Sequence, residues 1–142
     1  MLGDTKTTRR LSSVKVGEAL PALAIPLSRT LIVATAIASR DYQDVHHDPD
    51  LAKKRGSPDI FMNILTTNGF ISRYVTDWAG PDARLRTIST RLGVPNYAGD
   101  TCKIVGEVVK LGAAGRREAE VQVRILNSLG EHANSTVVVA FP

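Results

Sequence analysis

The chain has 142 residues, of which 43% are hydrophobic, so it is long enough to bury one core and too short for two ordinary domains. Its most apolar stretch, residues 20–37, is interrupted by Pro21, Pro26 and Arg29, which argues against a membrane span. The net charge of +4 favours an anionic partner. Nucleic acid is disfavoured because the basic residues are scattered and only 5% of the residues are aromatic.

The N-terminal segment of the chain and its single cysteine give further expectations. Residues 1–12 begin with a polar, basic segment that has no apolar run behind it, so we expect a frayed tail, no secretory signal and a cytoplasmic protein. Residues 13–142 are then one domain. Cys102 has no partner for an internal disulfide or a cysteine-rich zinc site, and it is predicted to be a small buried apolar residue rather than a nucleophile.

The first half of the chain alternates between apolar segments and one polar loop. Residues 14–27 contain apolar side chains with two-residue spacing and suit a strand, and residues 30–39 suit a short helix. Residues 40–49 are too rich in Asp and His to be core. A long helix is then predicted from a cap at Ser57, with Pro58 in its first turn, to the Gly-Pro pair at residues 80–81.

The second half changes to two-residue alternation, as in Val121, Val123 and Ile125. Turn sequences divide it into four predicted strands, at residues 85–94, 101–111, 117–127 and 132–141. Short connections between consecutive strands favour an antiparallel sheet. One long helix with such a sheet around it is an α+β layout, the hotdog fold, and its open sheet edge predicts pairing with a second chain.

Acidic and imidazole side chains concentrate in residues 41–48. A carboxylate at Asp41 and an imidazole at His46 are five residues apart on a loop, where both side chains can reach one water molecule. Such a pair suits the addition or removal of water. His47 is predicted to point away from the pocket, since adjacent side chains on a loop tend to diverge.

This segment resembles the signature DxNPxHxD of the MaoC-like enoyl-CoA hydratases. Asp41, Gln43, His46 and Asp48 occupy its four fixed places apart from the proline, and Ala52 occupies the small-residue place that follows. The sequence departs from the family pattern where Gln43-Asp44 replaces Asn-Pro and where Arg40 replaces a glycine. A second family signature, PxxxGDT, is reproduced by residues 95–101.

The resemblance implies a hydratase that acts on 2-enoyl-CoA thioesters, with Asp41 and His46 as its acid and base. In this family a backbone N–H at the start of the central helix contacts the thioester oxygen, and the matching N–H is that of Asn63. The family needs no cofactor, because coenzyme A is part of the substrate. Residues 40–50, 56–66 and 73–81 look like the small chain of the two-chain hydratases of actinobacterial steroid side-chain degradation. A bulky steroid acyl-CoA and a second MaoC-like hotdog chain, in a heterodimer or heterotetramer, are therefore implied; otherwise the chain is a homodimer.

Several alternatives stay open at this point. A hotdog acyl-CoA thioesterase shares the fold and the ligand, and a non-catalytic acyl-CoA-binding subunit is the second rival. A metal site is disfavoured because nothing outside residues 44–48 supplies an obvious further ligand. Asp44 and Asp48 are instead expected to cap a short helix around Leu51 and Ala52. The basic run at residues 53–55 is interpreted as a solvated helix end rather than a phosphate site.

Overall fold

The computed structural model describes residues 7–142, which form three α-helices and a five-stranded sheet. The helices are α1 (Arg29–Ala38), α2 (Pro49–Lys54) and α3 (Ile64–Ala79). The strands are β1 (Ala19–Pro26), β2 (Arg84–Leu92), β3 (Thr101–Leu111), β4 (Glu118–Asn127) and β5 (Gly130–Ala140). Two 3₁₀ turns lie at Leu11–Ser13 and Asp44–His46.

The strands pair in the order β1-β3-β4-β5-β2, and every pair is antiparallel. In the centre of the sheet Val121 lies opposite both Val108 and Val137, and all three side chains are buried. Because side chains alternate between the two faces of a strand, this register sends one apolar row toward the interior. The four strands predicted from the alternation are confirmed, with ends shifted by at most two residues.

Helix α3 supplies the other half of the core. Its side chains at Ile71 and Val75 are buried, and the helix contacts β1, β2 and β5. Tyr74 packs so closely on β3 that a Cβ at Gly106 would lie 2.9 Å from its ring, so glycine is required there. This is the predicted α+β hotdog arrangement, a long helix wrapped by an antiparallel sheet. No helix among residues 7–142 combines the length and the hydropathy needed to cross a membrane.

The start of α3 differs from the prediction. The helix begins at Ile64 with Asn63 as its N-cap, not at Ser57 or Pro58. Residues 57–63 are not helical, because backbone groups of residues 60–62 bond to other segments: Phe61 N–H donates to Val45, Met62 N–H donates to Asn96, and Ile60 accepts from Ala98. Tertiary hydrogen bonds therefore override a local cap signal that was favourable in isolation.

The predicted tail over residues 1–12 is wrong for residues 7–12. Arg9 N–H donates to the carbonyl of Ala79 at 2.9 Å, its guanidinium pairs with Glu18 at 2.5 Å, and it lies 4.8 Å from the ring centre of Trp78. The segment is thus attached to the end of α3 by a main-chain bond and a cation–π contact, and to Glu18, just before β1, by an ion pair. Residues 1–6 of the predicted tail lie outside the described residues.

Candidate functional site

The backbone at the end of α1 sets the direction in which Asp41 leaves the helix. Arg40 N–H donates to the carbonyl of Ile37 at 3.0 Å, and Asp41 N–H reaches back to Ala36 at 2.9 Å. This closure requires a left-handed residue between the helix and Asp41. Arg40 adopts that conformation, with φ of 57°, at the place where the family signature has glycine. Arg40 therefore makes this closure at the expense of local strain.

Two hydrogen bonds hold the carboxylate of Asp41, and the imidazole of His46 lies beside it. Its Oδ1 accepts a hydrogen bond from the Gln43 N–H at 3.3 Å, and its Oδ2 accepts one from Asn63 Nδ2 at 3.1 Å. The same Oδ2 lies 3.4 Å from His46 Nε2. With 23% of the side chain exposed, the carboxylate is restrained on the protein side and still open to a small molecule.

His46 belongs to the 3₁₀ turn at Asp44–His46 and is only 6% exposed. Its Nδ1 lies 2.7 Å from the carbonyl oxygen of Phe61, and the Phe61 ring packs edge-on against the imidazole with centroids 5.0 Å apart. A carbonyl only accepts hydrogen bonds, so Nδ1 carries a proton. In the neutral ring, Nε2 is therefore the unprotonated nitrogen, and it is the one that faces Asp41.

The dyad thus presents two acceptors, Asp41 Oδ2 and His46 Nε2, to the same small volume. Two acceptors cannot form a hydrogen bond with each other, but one water molecule can donate a hydrogen bond to each of them. The structure brings the two predicted residues together as the sequence spacing indicated. This arrangement suits general base chemistry on water.

Asn63, the third predicted residue, lies beside the dyad at the first turn of α3. Its φ of −80° and ψ of 163° are open to any residue, so the family glycine is not required by the backbone here. Its side chain is buried, with Oδ1 accepting from Thr66 N–H at 3.0 Å and Nδ2 donating to Ser39 Oγ at 2.9 Å. The main-chain N–H of Asn63 has no acceptor within residues 7–142.

The remaining polar side chains of the loop are engaged elsewhere or face solvent. His47 is exposed, as predicted. Asp48 caps α2 by accepting from the N–H groups of Asp50 and Leu51, also as predicted. The expectation that Asp44 caps the same helix is wrong: the guanidinium of Arg55 lies 2.8 Å from its carboxylate, attracts it away from the helix end, and lowers its pKa.

The described part of the chain contains no group of three His, Cys, Asp or Glu side chains that could hold a metal ion. Cys102 is fully buried and burial raises the pKa of its thiol to about 11, which is the environment of a packing residue and not of a nucleophile.

Sequence reasoning missed the side-chain contacts of Asn63 and the support from Phe61. The available signal was an Asn followed by an apolar helix, but the Ser57-Pro58 pair offered a stronger-looking cap.

Comparison with known proteins gives a consistent result. A family model described as a MaoC like domain matches residues 12–129. The 3-oxo-4,17-pregnadiene-20-carboxyl-CoA hydratase beta subunit of Mycobacterium tuberculosis is 49% identical over 124 residues, which are 86% of this chain and 92% of that protein. A chain of the ChsH1-ChsH2 complex from Mycobacterium tuberculosis matches with a TM-score of 0.86 and 48% identity, over 90% of this chain and 98% of that one. An (R)-hydratase of A. caviae shares the fold, with a TM-score of 0.84 and 21% identity over 92% of this chain and 98% of that one.

Proposed function

The chain belongs to the MaoC-like domain family, and from that premise we propose that it hydrates 2-enoyl-CoA thioesters to 3-hydroxyacyl-CoA. The observation that carries the proposal is the separation of 3.4 Å between Asp41 Oδ2 and His46 Nε2, with the second imidazole nitrogen tied to Phe61. An acid and a base fixed in this way can add the two parts of one water molecule across a double bond.

In the proposed reaction a water molecule donates one hydrogen bond to each member of the dyad. Asp41 Oδ2 takes one proton as the water oxygen attacks the β-carbon of the enoyl thioester. Electrons of the double bond shift to the thioester oxygen and give an enolate-like intermediate. Asp41 then passes the proton that it took to His46 Nε2, and His46 delivers it to the α-carbon. One water molecule is thereby added and the thioester bond stays intact. Acid–base assistance of this kind contributes roughly 10²- to 10⁴-fold in rate.

The main-chain N–H of Asn63 is the proposed donor to the developing oxyanion. It lies at the N-cap of α3, where the helix dipole also favours negative charge, and it belongs to the same residue whose side chain contacts Asp41. A hydrogen bond that strengthens as charge develops is worth about 3 kcal/mol of transition-state stabilisation. The proposed chemistry needs only these protein groups and the thioester, so coenzyme A enters as part of the substrate and no separate cofactor is required.

The substrate class and the partner follow from the relatives. One relative is named as a hydratase subunit for a pregnadiene carboxyl-CoA, and a matching chain comes from a two-chain complex. We therefore propose a bulky steroid side-chain acyl-CoA as the substrate and a second MaoC-like hotdog chain as the partner. Four large apolar side chains near Asp41 or Asn63 in sequence are 40–68% exposed: Ile37, Tyr42, Ile64 and Leu65. Their exposure supports an extended apolar surface for the acyl group in this region.

A cytoplasmic location is also proposed, because acyl-CoA thioesters are metabolites of the cell interior. Fractionation of the native cells with an antibody against the chain is the corresponding test. Recovery in the soluble cytoplasmic fraction supports the location, and recovery outside the cytoplasmic membrane contradicts it.

The function is tested by an assay of the purified chain with short and steroid-sized enoyl-CoAs, alone and with the neighbouring hotdog chain. We expect loss of the enoyl absorbance without release of free CoA, and with the steroid-sized substrate only when both chains are present. Release of free CoA with the double bond retained would indicate a thioesterase instead. Ligand binding without turnover in any combination would indicate a non-catalytic acyl-CoA-binding subunit.

A further inference from the structure

The side chain of Asn63 makes four hydrogen bonds, and their chemistry fixes its orientation. Thr66 N–H is only a donor, so the atom that it contacts at 3.0 Å is the amide oxygen. The amide nitrogen then faces Ser39 Oγ at 2.9 Å and the carboxylate of Asp41 at 3.1 Å. A carboxylate only accepts, so this assignment satisfies both ends of the amide at once. The fourth bond comes from the hydroxyl of Thr66 at 2.5 Å.

Through these bonds one buried amide joins three segments. Ser39 ends α1 and donates its own hydroxyl proton to the carbonyl of Thr35 at 2.7 Å, so it accepts from Asn63. Asp41 begins the loop that carries the dyad, and Thr66 belongs to α3. Since Asn63 is only 3% exposed, water cannot readily replace any of these partners.

We propose that the side chain of Asn63 is a positioning residue that aims Asp41 Oδ2 at the water shared with His46. This role rests on the proposed hydratase function and is separate from that of the Asn63 main-chain N–H. Without the amide, the carboxylate keeps one protein donor, the Gln43 N–H at 3.3 Å on its other oxygen. That single long bond leaves the carboxylate free to rotate away from His46. The amide takes the place of the family glycine and adds a contact that a glycine lacks.

The test uses Asn63→Ser in the complex with the partner hotdog chain. Serine is as good an N-cap as asparagine, so α3 keeps its cap, and the main-chain N–H is untouched. The shorter side chain cannot donate to Asp41. The variant loses the hydrogen bond from the amide to the charged carboxylate of Asp41, and this loss should lower kcat about 10- to 100-fold. KM should change less than about twofold. Tm should fall by only a few degrees, because the helix cap is kept while the buried bonds to Ser39 and Asp41 are lost.

Two further variants separate positioning from stability. Asn63→Asp also keeps the cap but places a second carboxylate against Asp41, so kcat should fall further than in Asn63→Ser. Ser28→Ala removes the N-cap of α1, where Ser28 Oγ accepts from Leu31 N–H at 3.0 Å. That variant should lose a few degrees of Tm and keep the wild-type kcat.

The outcomes are distinguishable. A kcat per folded complex that is lowered in Asn63→Ser with little change in KM, while Ser28→Ala keeps the wild-type kcat at a similar loss of Tm, supports the positioning role. Wild-type kcat in both Asn63 variants overturns it and leaves the proposed function intact, and so does a loss of rate that only follows a loss of folded protein. Absence of hydration by the wild-type complex overturns the proposed function and the positioning role together.

Discussion

At the scale of single residues, main-chain geometry sets where Asp41 leaves α1 and how the ring of His46 is oriented. Asp41 follows a helix end that is closed by two main-chain hydrogen bonds, and His46 is held by the carbonyl of Phe61. The imidazole of His46 is oriented by a main-chain partner, whereas the carboxylate of Asp41 is in addition contacted by the side-chain amide of Asn63. The two groups can therefore meet although they come from different local structures.

The strained residue next to the dyad gives a stability prediction. Arg40 has φ of 57°, and a non-glycine residue in this region is destabilised by roughly 1–2 kcal/mol. Glycine removes that strain, but it increases the conformational entropy of the unfolded chain, which lowers the free energy of unfolding by about 0.5–1 kcal/mol. Arg40→Gly should therefore increase the free energy of unfolding by about 0.5–1 kcal/mol, measured by urea denaturation.

Arg40→Ala is the matched control for this prediction. Alanine removes the guanidinium and keeps the strained backbone, so it should leave the urea midpoint close to that of the wild type. A stabilisation of equal size in both variants would show that the charge, and not the backbone conformation, was the source of the effect.

At the scale of elements, α3 is tied to the sheet by a buried polar contact. Thr67 Oγ1 lies 2.9 Å from His132 Nε2, and His132 Nδ1 lies 2.7 Å from the carbonyl oxygen of Val94. His132 belongs to β5, and burial of its side chain lowers the pKa of the imidazole below the usual 6.5. The folded protein therefore favours the neutral ring.

This contact predicts a pH dependence of stability. Because the folded-state pKa of His132 is lower than the unfolded one, the unfolded chain binds more protons at mildly acidic pH. The contribution to stability is complete above about pH 6.5 and is lost as the pH falls from there toward the folded-state pKa. His132→Gln should reduce the slope of unfolding free energy against pH between about pH 7 and 5. An identical slope in the wild type and the variant would contradict this account.

Sequence reasoning succeeded where the information is local. The two-residue alternation located all four strands of the second half, and the five-residue spacing brought Asp41 and His46 together. It failed at the start of α3, because the segment before Ile64 forms its hydrogen bonds with residues that are distant in sequence. The amide of Asn63 was missed for the same reason: its partners Ser39 and Asp41 are more than 20 positions away.

At the scale of the whole molecule, one core connects the two edges of the sheet to the helix. The buried cluster includes side chains from α3, β1, β3, β4 and β5, and the partly buried Leu85 and Ile88 of β2 pack against it. Cys102 is one of its fully buried members. Such a core opens only when the sheet separates from the helix. The single cysteine is therefore a probe of global unfolding.

Labelling of Cys102 gives the corresponding prediction. The thiol is fully buried and its pKa is raised to about 11, so an aromatic disulfide reagent at pH 8 should react only through unfolding. The labelling rate should rise with urea in parallel with the population of unfolded chain measured by circular dichroism. Rapid labelling in buffer without denaturant would show that the core opens locally.

The most direct measurement of the central claim is a double-mutant cycle of kcat for hydration by the complex of the two chains. Asp41→Asn and His46→Ala should each keep the far-ultraviolet circular dichroism spectrum and lower kcat by roughly 10²- to 10⁴-fold. If both groups act on one water molecule, the double variant should be little slower than the slower single variant. Full activity in either single variant, or losses that simply multiply in the double variant, would contradict the shared water.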